Sequence, residues 1–402
     1  MTSSPAAAPP TPDRRTLAWA AAAGLLLAVL VAAWPLVMDG RYYVGDDFVV
    51  YHAAGSALFD GRSPYDFSLD GSFMYIYTPF AAIPLAPLAL LGTTAALAVW
   101  TLISVLAMQA LIWISLRLAG VTSPGRRAVL TLVLTVAALP LGPVVQNFWL
   151  GQINLVLVFL IVADLARRSD RFRGVGIGIA AGIKLTPLIF VVHLLLTGQY
   201  RAARTALLTF LATVLVGFVV LPGASAKYWG GTFIDTSRMY PTGADVSWNH
   251  SLRGLIAPLS GAGTGAVVLW FVLAAVVGVA GLAVARAATL RGNALAGIVA
   301  CGVTGVLVSP LSWAPHWVWC VPLLVLAVTA ASTVSGAVTR AALVWVAFFS
   351  STFYWVASIL AGRPIWPDVP TKVFAVITVA AGLAVLAVLA RPARRDHEVA
   401  VG

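Results

Sequence analysis

Long apolar runs separated by short polar stretches dominate this chain. A helix needs about 20 apolar residues to cross the hydrocarbon core of a bilayer. Runs that suit that rule lie at 16–38, 80–117, 127–145, 151–166, 175–197, 204–222, 264–286, 293–310, 317–331, 340–361 and 371–390. The 80–117 run is too long for one plain crossing, and Pro79, Pro84 and Pro87 predict an interfacial or kinked start before the helix proper. The two longest polar connections are 39–79 and 223–263.

Charge adds sidedness to the pattern. Arg117, Arg126 and Arg127 form one basic group, and Arg167, Arg168, Arg171 and Arg173 a second. Arg201 with Arg204, Arg286 with Arg291, Arg340, and Arg391, Arg394 and Arg395 continue the series. With Arg14 and Arg15, 17 of the 25 basic residues fall on one side if all these connections face the cytoplasm. The opposite connections then carry Asp39 to Asp70, Asp235, Asp245 and Asp368, the asymmetry expected of a protein with positive loops inside. The run 175–197 breaks the alternation, because both of its flanks are basic. Its Pro187 and its glycines, in GVGIGIAAGIKLTPL, predict two short half-helices that meet near Lys184, Leu185, Thr186 and Pro187. The count becomes about 12 transmembrane segments with both termini cytoplasmic.

Composition agrees. The 402 residues are 60% hydrophobic and 10% charged, where soluble domains carry about 25% charged residues. The mean hydropathy is +0.95. An all-α polytopic membrane protein follows: a single transmembrane domain over 16–390, a Pro/Ala-rich disordered N-terminus over 1–15 and a cytoplasmic tail over 391–402. The run 16–38 reads as a retained first helix, too long for a signal peptide core. The sequence pI near 10.2 reflects arginine in inner loops and implies no nucleic acid. Cys301 and Cys320 sit in apolar runs and read as packing residues. No Cys or His cluster has metal-ligand spacing, so no metal or cofactor is expected.

Against this background the polar residues stand out. Asp39, Asp46, Asp47, Asp60, Asp66 and Asp70 gather in one outer connection, while glutamate occurs once, at Glu398. A carboxylate at the membrane–water boundary is costly and can serve as a general base toward a hydroxyl; the alternative is a set of solvated turn residues. The aromatics of the same stretch (Tyr42, Tyr43, Phe48, Tyr51, Tyr65, Phe67, Phe73, Tyr75, Tyr77) suit stacking on sugar faces or an interfacial belt. Lys184 is the basic residue placed inside a predicted span, where it meets a phosphate or snorkels to an interface. Arg238, Trp248, Asn249, His250, Ser251 and Arg253 offer donors for phosphate or sugar hydroxyls, or form an ordinary polar loop. His316, flanked by Trp313, Trp317 and Trp319, opens on the same side as Asp47. Gln146, Asn147, Gln152 and Asn154 make a polar break that is either a turn or a cavity wall.

The order of these pieces resembles glycosyltransferase family 87: DxxxY at Asp47 to Tyr51, GRSPYDF, YTPFAAIPLAPL, GQIN, IKLTP and NHSLRGL. The likeness covers most of the chain and weakens after about residue 260. It implies a GT-C fold and transfer from a polyprenyl-phosphate sugar on the outer face of the plasma membrane. Among family members the chain looks most like the mycobacterial enzymes that add α-(1→2) mannose to phosphatidylinositol mannosides. The partners so implied are a lipid-linked mannose donor, a glycolipid acceptor and membrane lipids. Asp47 then takes the place of the catalytic base, with Asp46 as its competitor and Tyr51 following. Lys184 matches the IKLxP lysine, and Asn249, Ser251 and Leu252 match NxSL, with His250 where glutamine is more usual. The residues expected to bind donor phosphate or sugar are Lys184, Arg253, Asn249, Ser251, His250, Tyr51, Gln152 and Asn154, and His316 is a catalytic candidate with Asp47 and Asp46. Lipomannan branching and pentose transfer are the nearest alternative reactions. A lipid or sugar transporter is the alternative outside the transferases, disfavoured by the carboxylate-rich loop and by the lack of internal repetition.

Overall fold

The computed structural model of the chain describes residues 14–37, 45–69, 73–235, 249–260, 264–331, 333–360 and 368–391. The expectations for residues 1–13, Asp39, Tyr42, Tyr43, Asp70, Arg238, Asp245, Trp248 and the tail from 392 lie outside the described residues. The fold is all-α. Its helices, in chain order, are α1 (Arg14–Ala32), α2 (Trp34–Val37), α3 (Asp46–Phe59), α4 (Pro79–Leu85), α5 (Thr93–Leu118) and α6 (Pro124–Ala138). Then come α7 (Gly142–Trp149), α8 (Asn154–Leu165), α9 (Val175–Ile183), α10 (Ile189–Leu196), α11 (Tyr200–Val220) and α12 (Pro222–Trp229). The series ends with α13 (Leu252–Ser260), α14 (Thr264–Leu290), α15 (Ala294–Val308), α16 (Cys320–Thr329), α17 (Val334–Leu360) and α18 (Asp368–Ala390). A two-residue hairpin pairs Ser68 with Met74 and Leu69 with Phe73.

Among the described residues five helices are long and apolar enough to cross a membrane: α1, α5, α11, α14 and the Val373–Ala390 part of α18. The α6–α7 pair, bent by 80°, makes a sixth if counted as one span. The expected run 127–145 is therefore not straight. Pro140 and Pro143 fall at the bend, and proline both removes an N–H and disfavours helix in the residue before it. The 80–117 run divides as expected, with α4 and a turn at Ala86–Leu90 ahead of the 26-residue α5. The stretch 39–79, expected as a loop, instead holds the 14-residue α3, and 223–263 holds α12 and α13.

The run 175–197 folds as two half-helices. Asp164, buried at the end of α8, caps α9 by accepting from Gly174 N at 2.8 Å and Ile177 N at 3.2 Å. The helix then lies along α11 with almost no side chain between them. A Cβ at Gly174 would stand 2.2 Å from Ala202 O, one at Gly178 2.5 Å from Thr209 Cβ, and one at Gly182 2.2 Å from Thr213 Oγ1. Those contacts advance together, so α9 and α11 run in the same direction. Lys184 is extended (φ −142°, ψ 131°) and ends α9. The chain turns through Thr186–Leu188 and returns as α10, until Gln199 Oε1 accepts from Arg173 Nη1 at 3.4 Å. Both feet of the hairpin stand together, and Lys184 is at its tip. Small residues allow helices to approach this closely where no hydrophobic force drives them together.

Candidate functional site

Four breaks in the helical pattern converge. The first is the start of α3. Gly45 N donates to Trp149 O at 2.8 Å and Phe48 N to Leu150 O at 3.1 Å, which docks the first turn of α3 onto the turn between α7 and α8. Asp46 and Asp47 lie in that turn, where the helix dipole favours anions. Gly151, at the bottom of the second break, has φ +66°, and a Cβ there would meet Phe48 Cβ at 2.5 Å. Trp100 Nε1 donates to Gly151 O at 2.8 Å and fixes the turn from the α5 side.

This turn presents Gln152 and Asn154, both buried. Gln152 Nε2 donates to Asp47 Oδ2 at 2.7 Å. Asn154 Nδ2 donates to Gln152 Oε1 at 3.0 Å. From the third break, the tip of the α9–α10 hairpin, Lys184 Nζ donates to Asn154 Oδ1 at 3.1 Å and lies 2.9 Å from His316 Nε2. His316 comes from the fourth break, a turn at Ala314–Trp317 ahead of α16, where its Nδ1 accepts from Trp313 N at 3.2 Å. The Trp313 and His316 rings stack with centroids 6.3 Å apart. The string Asp47–Gln152–Asn154–Lys184–His316 thus joins residues 269 positions apart in sequence, as their numbers show.

Asp47 is 8% exposed. Burial pushes its carboxyl up to about 7, the Gln152 hydrogen bond and the Lys184 charge pull it back, and Asp46 adds to the rise. Asp46 is more accessible. Of the two adjacent carboxylates, Asp47 is the one built into the string. Asp60 pairs with Arg62 on the surface, and Asp66 lies 3.8 Å from Lys227 with both side chains exposed, so these two are solvated residues.

Four aromatics of the 39–79 stretch depart from both expectations for them. Tyr51, Tyr65, Tyr75 and Tyr77 are buried and pack on one another instead of facing sugar or lipid. Tyr51 and Tyr77 meet edge to face at 5.1 Å, and Tyr65 stacks on Tyr228 at 5.8 Å. The Tyr51 and Tyr77 hydroxyls are 2.6 Å apart and reach Gln152 Oε1 at 3.2 and 3.3 Å. Lys184 Nζ lies 5.4 Å from the Tyr77 ring centroid, within cation–π range. Thr78 Oγ1 donates to Gly182 O, which ties this stretch to the hairpin tip.

The NHS segment also turns out differently. Asn249 Nδ2 donates to Pro310 O at 2.8 Å, and its Oδ1 accepts from Ser312 N at 3.0 Å. His250 N donates to Ser312 O at 2.6 Å, and His250 O accepts from Trp317 Nε1 at 3.0 Å. Thr378 Oγ1 spends its proton on Phe374 O, so His250 Nδ1 donates to Thr378 across 3.2 Å. Burial pushes the His250 imidazole down to about 4. Ser251 is fully buried, and Arg253 lies over the Trp270 ring at 5.5 Å. None of Asn249, His250, Ser251 and Arg253 lines the cavity described next, and the first two shape the turn that carries His316. These residues were expected on the donor; the side chains of Asn249, His250 and Arg253 instead contact the protein, and the buried Ser251 hydroxyl has no partner among the described residues.

A cavity of about 50 Å³ opens at Lys184. Its polar end is formed by Asn154, Lys184, Thr186, Ser309, Ser312 and His316. Leu157, Val158 and Ile161 of α8, Ile189 and Phe190 of α10, and Val306 of α15 make its other end apolar. Sequence reasoning missed Ser309 and Ser312. The signal was there in SPLSWAPHW, two hydroxyls close ahead of His316 in an apolar run. It also left Asn147 undecided between turn and wall; Asn147 is buried, and neither of its amide atoms has a partner among the described residues.

The site joins a buried carboxylate, an amine and an imidazole on one hydrogen-bonded string, and of these the amine and the imidazole, but not Asp47, line the small cavity. Known proteins bear on this. The model of glycosyltransferase family 87 matches residues 75–310, which include Gln152, Asn154 and Lys184 but neither Asp47 nor His316. A polyprenol-phosphate-mannose-dependent alpha-(1-2)-phosphatidylinositol mannoside mannosyltransferase of Mycobacterium tuberculosis is 30% identical over 74% of this chain and 72% of its own length. A pentamannoside mannosyltransferase of the same donor dependence from Mycolicibacterium smegmatis is 32% identical over 75% and 74%. Its counterpart in Mycobacterium tuberculosis is 33% identical over 80% and 75%. No solved structure matches the chain. With the family match spanning more than half of the sequence and the relatives aligned over three quarters of it, the chain belongs to glycosyltransferase family 87.

Proposed function

We propose that this glycosyltransferase moves mannose from polyprenyl-phosphate mannose to a phosphatidylinositol mannoside, with inversion, to form an α-(1→2) linkage. The donor and acceptor named for its relatives support this reading. So does the small cavity at Lys184, whose polar end suits a phosphate. The arginine pattern supports cytoplasmic termini and an Asp47 site on the outer face; the count of about 12 membrane segments rests on the apolar pattern alone, since five or six helices among the described residues are long enough to span.

The single observation that carries the chemistry is the placement of Asp47 and Lys184 at opposite ends of one hydrogen-bonded string. Asp47 removes the proton from the acceptor 2-hydroxyl. The freed oxygen bonds to the anomeric carbon from the face opposite the phosphate, while the bond from that carbon to the phosphate oxygen breaks and its electrons leave on the phosphate. Lys184, with His316 beside it, meets the developing charge. A carboxylate poised near neutrality suits a general base, whose help is typically worth about 10²–10⁴-fold.

The test is transfer of radiolabelled mannose by the purified full-length protein. Asp47→Asn is expected to lose at least about 10²-fold in turnover while still binding donor. Turnover like the wild type in that variant would defeat the assignment. Movement of lipid or sugar without covalent transfer would favour a transporter.

A further inference from the structure

Gln152 and Asn154 were expected on the donor, but their hydrogen bonds run inside the protein and all in one sense. Lys184 Nζ donates to Asn154 Oδ1, Asn154 Nδ2 to Gln152 Oε1, and Gln152 Nε2 to Asp47 Oδ2. The orientation of both amides is forced. Turning Gln152 over would set its oxygen against the Asp47 carboxylate and its nitrogen against the Asn154 amide nitrogen. Turning Asn154 over would set nitrogen against the Lys184 amine. The Tyr51–Tyr77 hydroxyl pair supplies a further proton to Gln152 Oε1, since one hydroxyl donates to the other and leaves one proton over. Hydrogen bonds linked head to tail polarise one another, more so where water is excluded, and both amides are buried.

We propose that Gln152 and Asn154 are positioning residues that form a directed amide bridge, holding the Asp47 carboxylate in place and tying its basicity to the amine of Lys184. This rests on the reading of Asp47 as the general base. Gln152 engages Oδ2, which leaves Oδ1 to accept the acceptor's proton. The amine that meets the departing phosphate and the carboxylate that takes the proton are then two ends of one polarised chain. Among the described residues the other titratable groups around Asp47 are few. Asp46 neighbours it on α3, Tyr51 follows one turn later, and Tyr77 approaches from the segment before α4. The parts of α4 and of the Ala86–Leu90 turn packed on α3 carry no charge, α5 contributes Trp100, and Asp66 beyond α3 is exposed beside Lys227.

The experiment is a pH–rate profile of mannosyl transfer by the full-length protein for Gln152→Met, which keeps the volume and removes the donor. Loss of a hydrogen bond to the ionised form raises a carboxyl's pKa. The acid limb of kcat/KM is expected to move up by about one pH unit, a loss of about tenfold on that limb that closes again at alkaline pH. Asn154→Leu, which cuts the bridge farther from the carboxylate, is expected to shift the limb in the same direction by less. A loss of equal size at every pH, or an unmoved limb, overturns the proposal. If Gln152→Met does not accumulate, Gln152→Glu, nearly isosteric, is read instead: a second carboxylate against Asp47 must raise the limb further, and an unmoved limb again overturns the bridge. Asp47→Asn separates the two levels. An inactive Asp47→Asn with an unmoved Gln152→Met limb defeats the bridge alone, whereas an active Asp47→Asn defeats the reading on which it rests.

Discussion

Gly182→Ala offers a sharp test of how the fold places the amine. A Cβ at Gly182 would lie 2.2 Å from Thr213 Oγ1 and 2.7 Å from both Thr213 Cβ and Cγ2. Thr213 is held, because its hydroxyl donates to Phe210 O at 2.6 Å within α11. Ordinary contact needs about 3.5 Å, so α9 and α11 must part by about 1 Å. Lys184 is two residues on, and its polar contacts are 3.1 Å to Asn154 and 2.9 Å to His316. A displacement of about 1 Å takes both beyond hydrogen-bond reach. Overpacking of this kind costs about 1–3 kcal/mol, and an ångström of misplacement near a reacting centre costs about 10²-fold in rate. Turnover should therefore fall by about 10²-fold in protein that still folds.

The second half of the test is rescue. Thr213→Gly removes all three crowding atoms, so the double variant should recover most of the rate. It should not recover all the stability, since Thr213→Gly also removes the packing of a buried side chain. Mannosyl transfer per monodisperse protein, measured by fluorescence-detected size exclusion alongside thermal unfolding, reads both quantities. Full activity in Gly182→Ala, or a loss that Thr213→Gly leaves unchanged, would refute the reasoning.

Other expectations follow from particular contacts. Because burial holds the Asp47 carboxyl up to about 7, the base is protonated below that pH, and kcat/KM should fall by about tenfold per unit of acidification; a plateau continuing to about pH 5 would contradict this. Asp46→Asn should keep most of the activity under the same assay. Asn249→Ala abandons the buried partners Pro310 O and Ser312 N, so a loss of about 1–3 kcal/mol is expected in thermal unfolding; a raised donor KM with unchanged stability would return Asn249 to the donor. Asp60→Asn and Asp66→Asn remove exposed pairs worth under about 1 kcal/mol and should leave transfer within about twofold.

How much of this was legible in the sequence depended on the length of the interaction. The half-helix hairpin could be read because two basic flanks contradict a single crossing, and Pro187 and the glycines named the place of the break. The start of α3 was not legible. Its fourteen residues look like a polar connection until Gly45 and Phe48 find the carbonyls of Trp149 and Leu150, about a hundred positions away. The tyrosines misled for a related reason: aromatic side chains read as belt or sugar platform unless the partner ring, such as Tyr228 for Tyr65, is known. In NHSLRGL the donors were visible, but their acceptors lie in the turn before α16, so a clamp on His316 looked like a binding loop.

The four site segments share a cause that the apolar pattern does contain. Asp47 lies in the first turn of α3, Gln152 occupies the gap between α7 and α8 and Asn154 starts α8, Lys184 ends α9, and His316 fills the turn ahead of α16. A helix end within an apolar protein exposes backbone groups that must find partners inside it. Polar side chains are tolerated where such partners are already required, and Gly45 N on Trp149 O and Trp313 N on His316 Nδ1 show the exchange in both directions. Each break also shortens its helix, which is why α8, α9 and α10, at 12, 9 and 8 residues, are too short to span and end instead at a common level around Lys184. The interruptions that spoil the count of simple crossings are thus the same features that assemble the site.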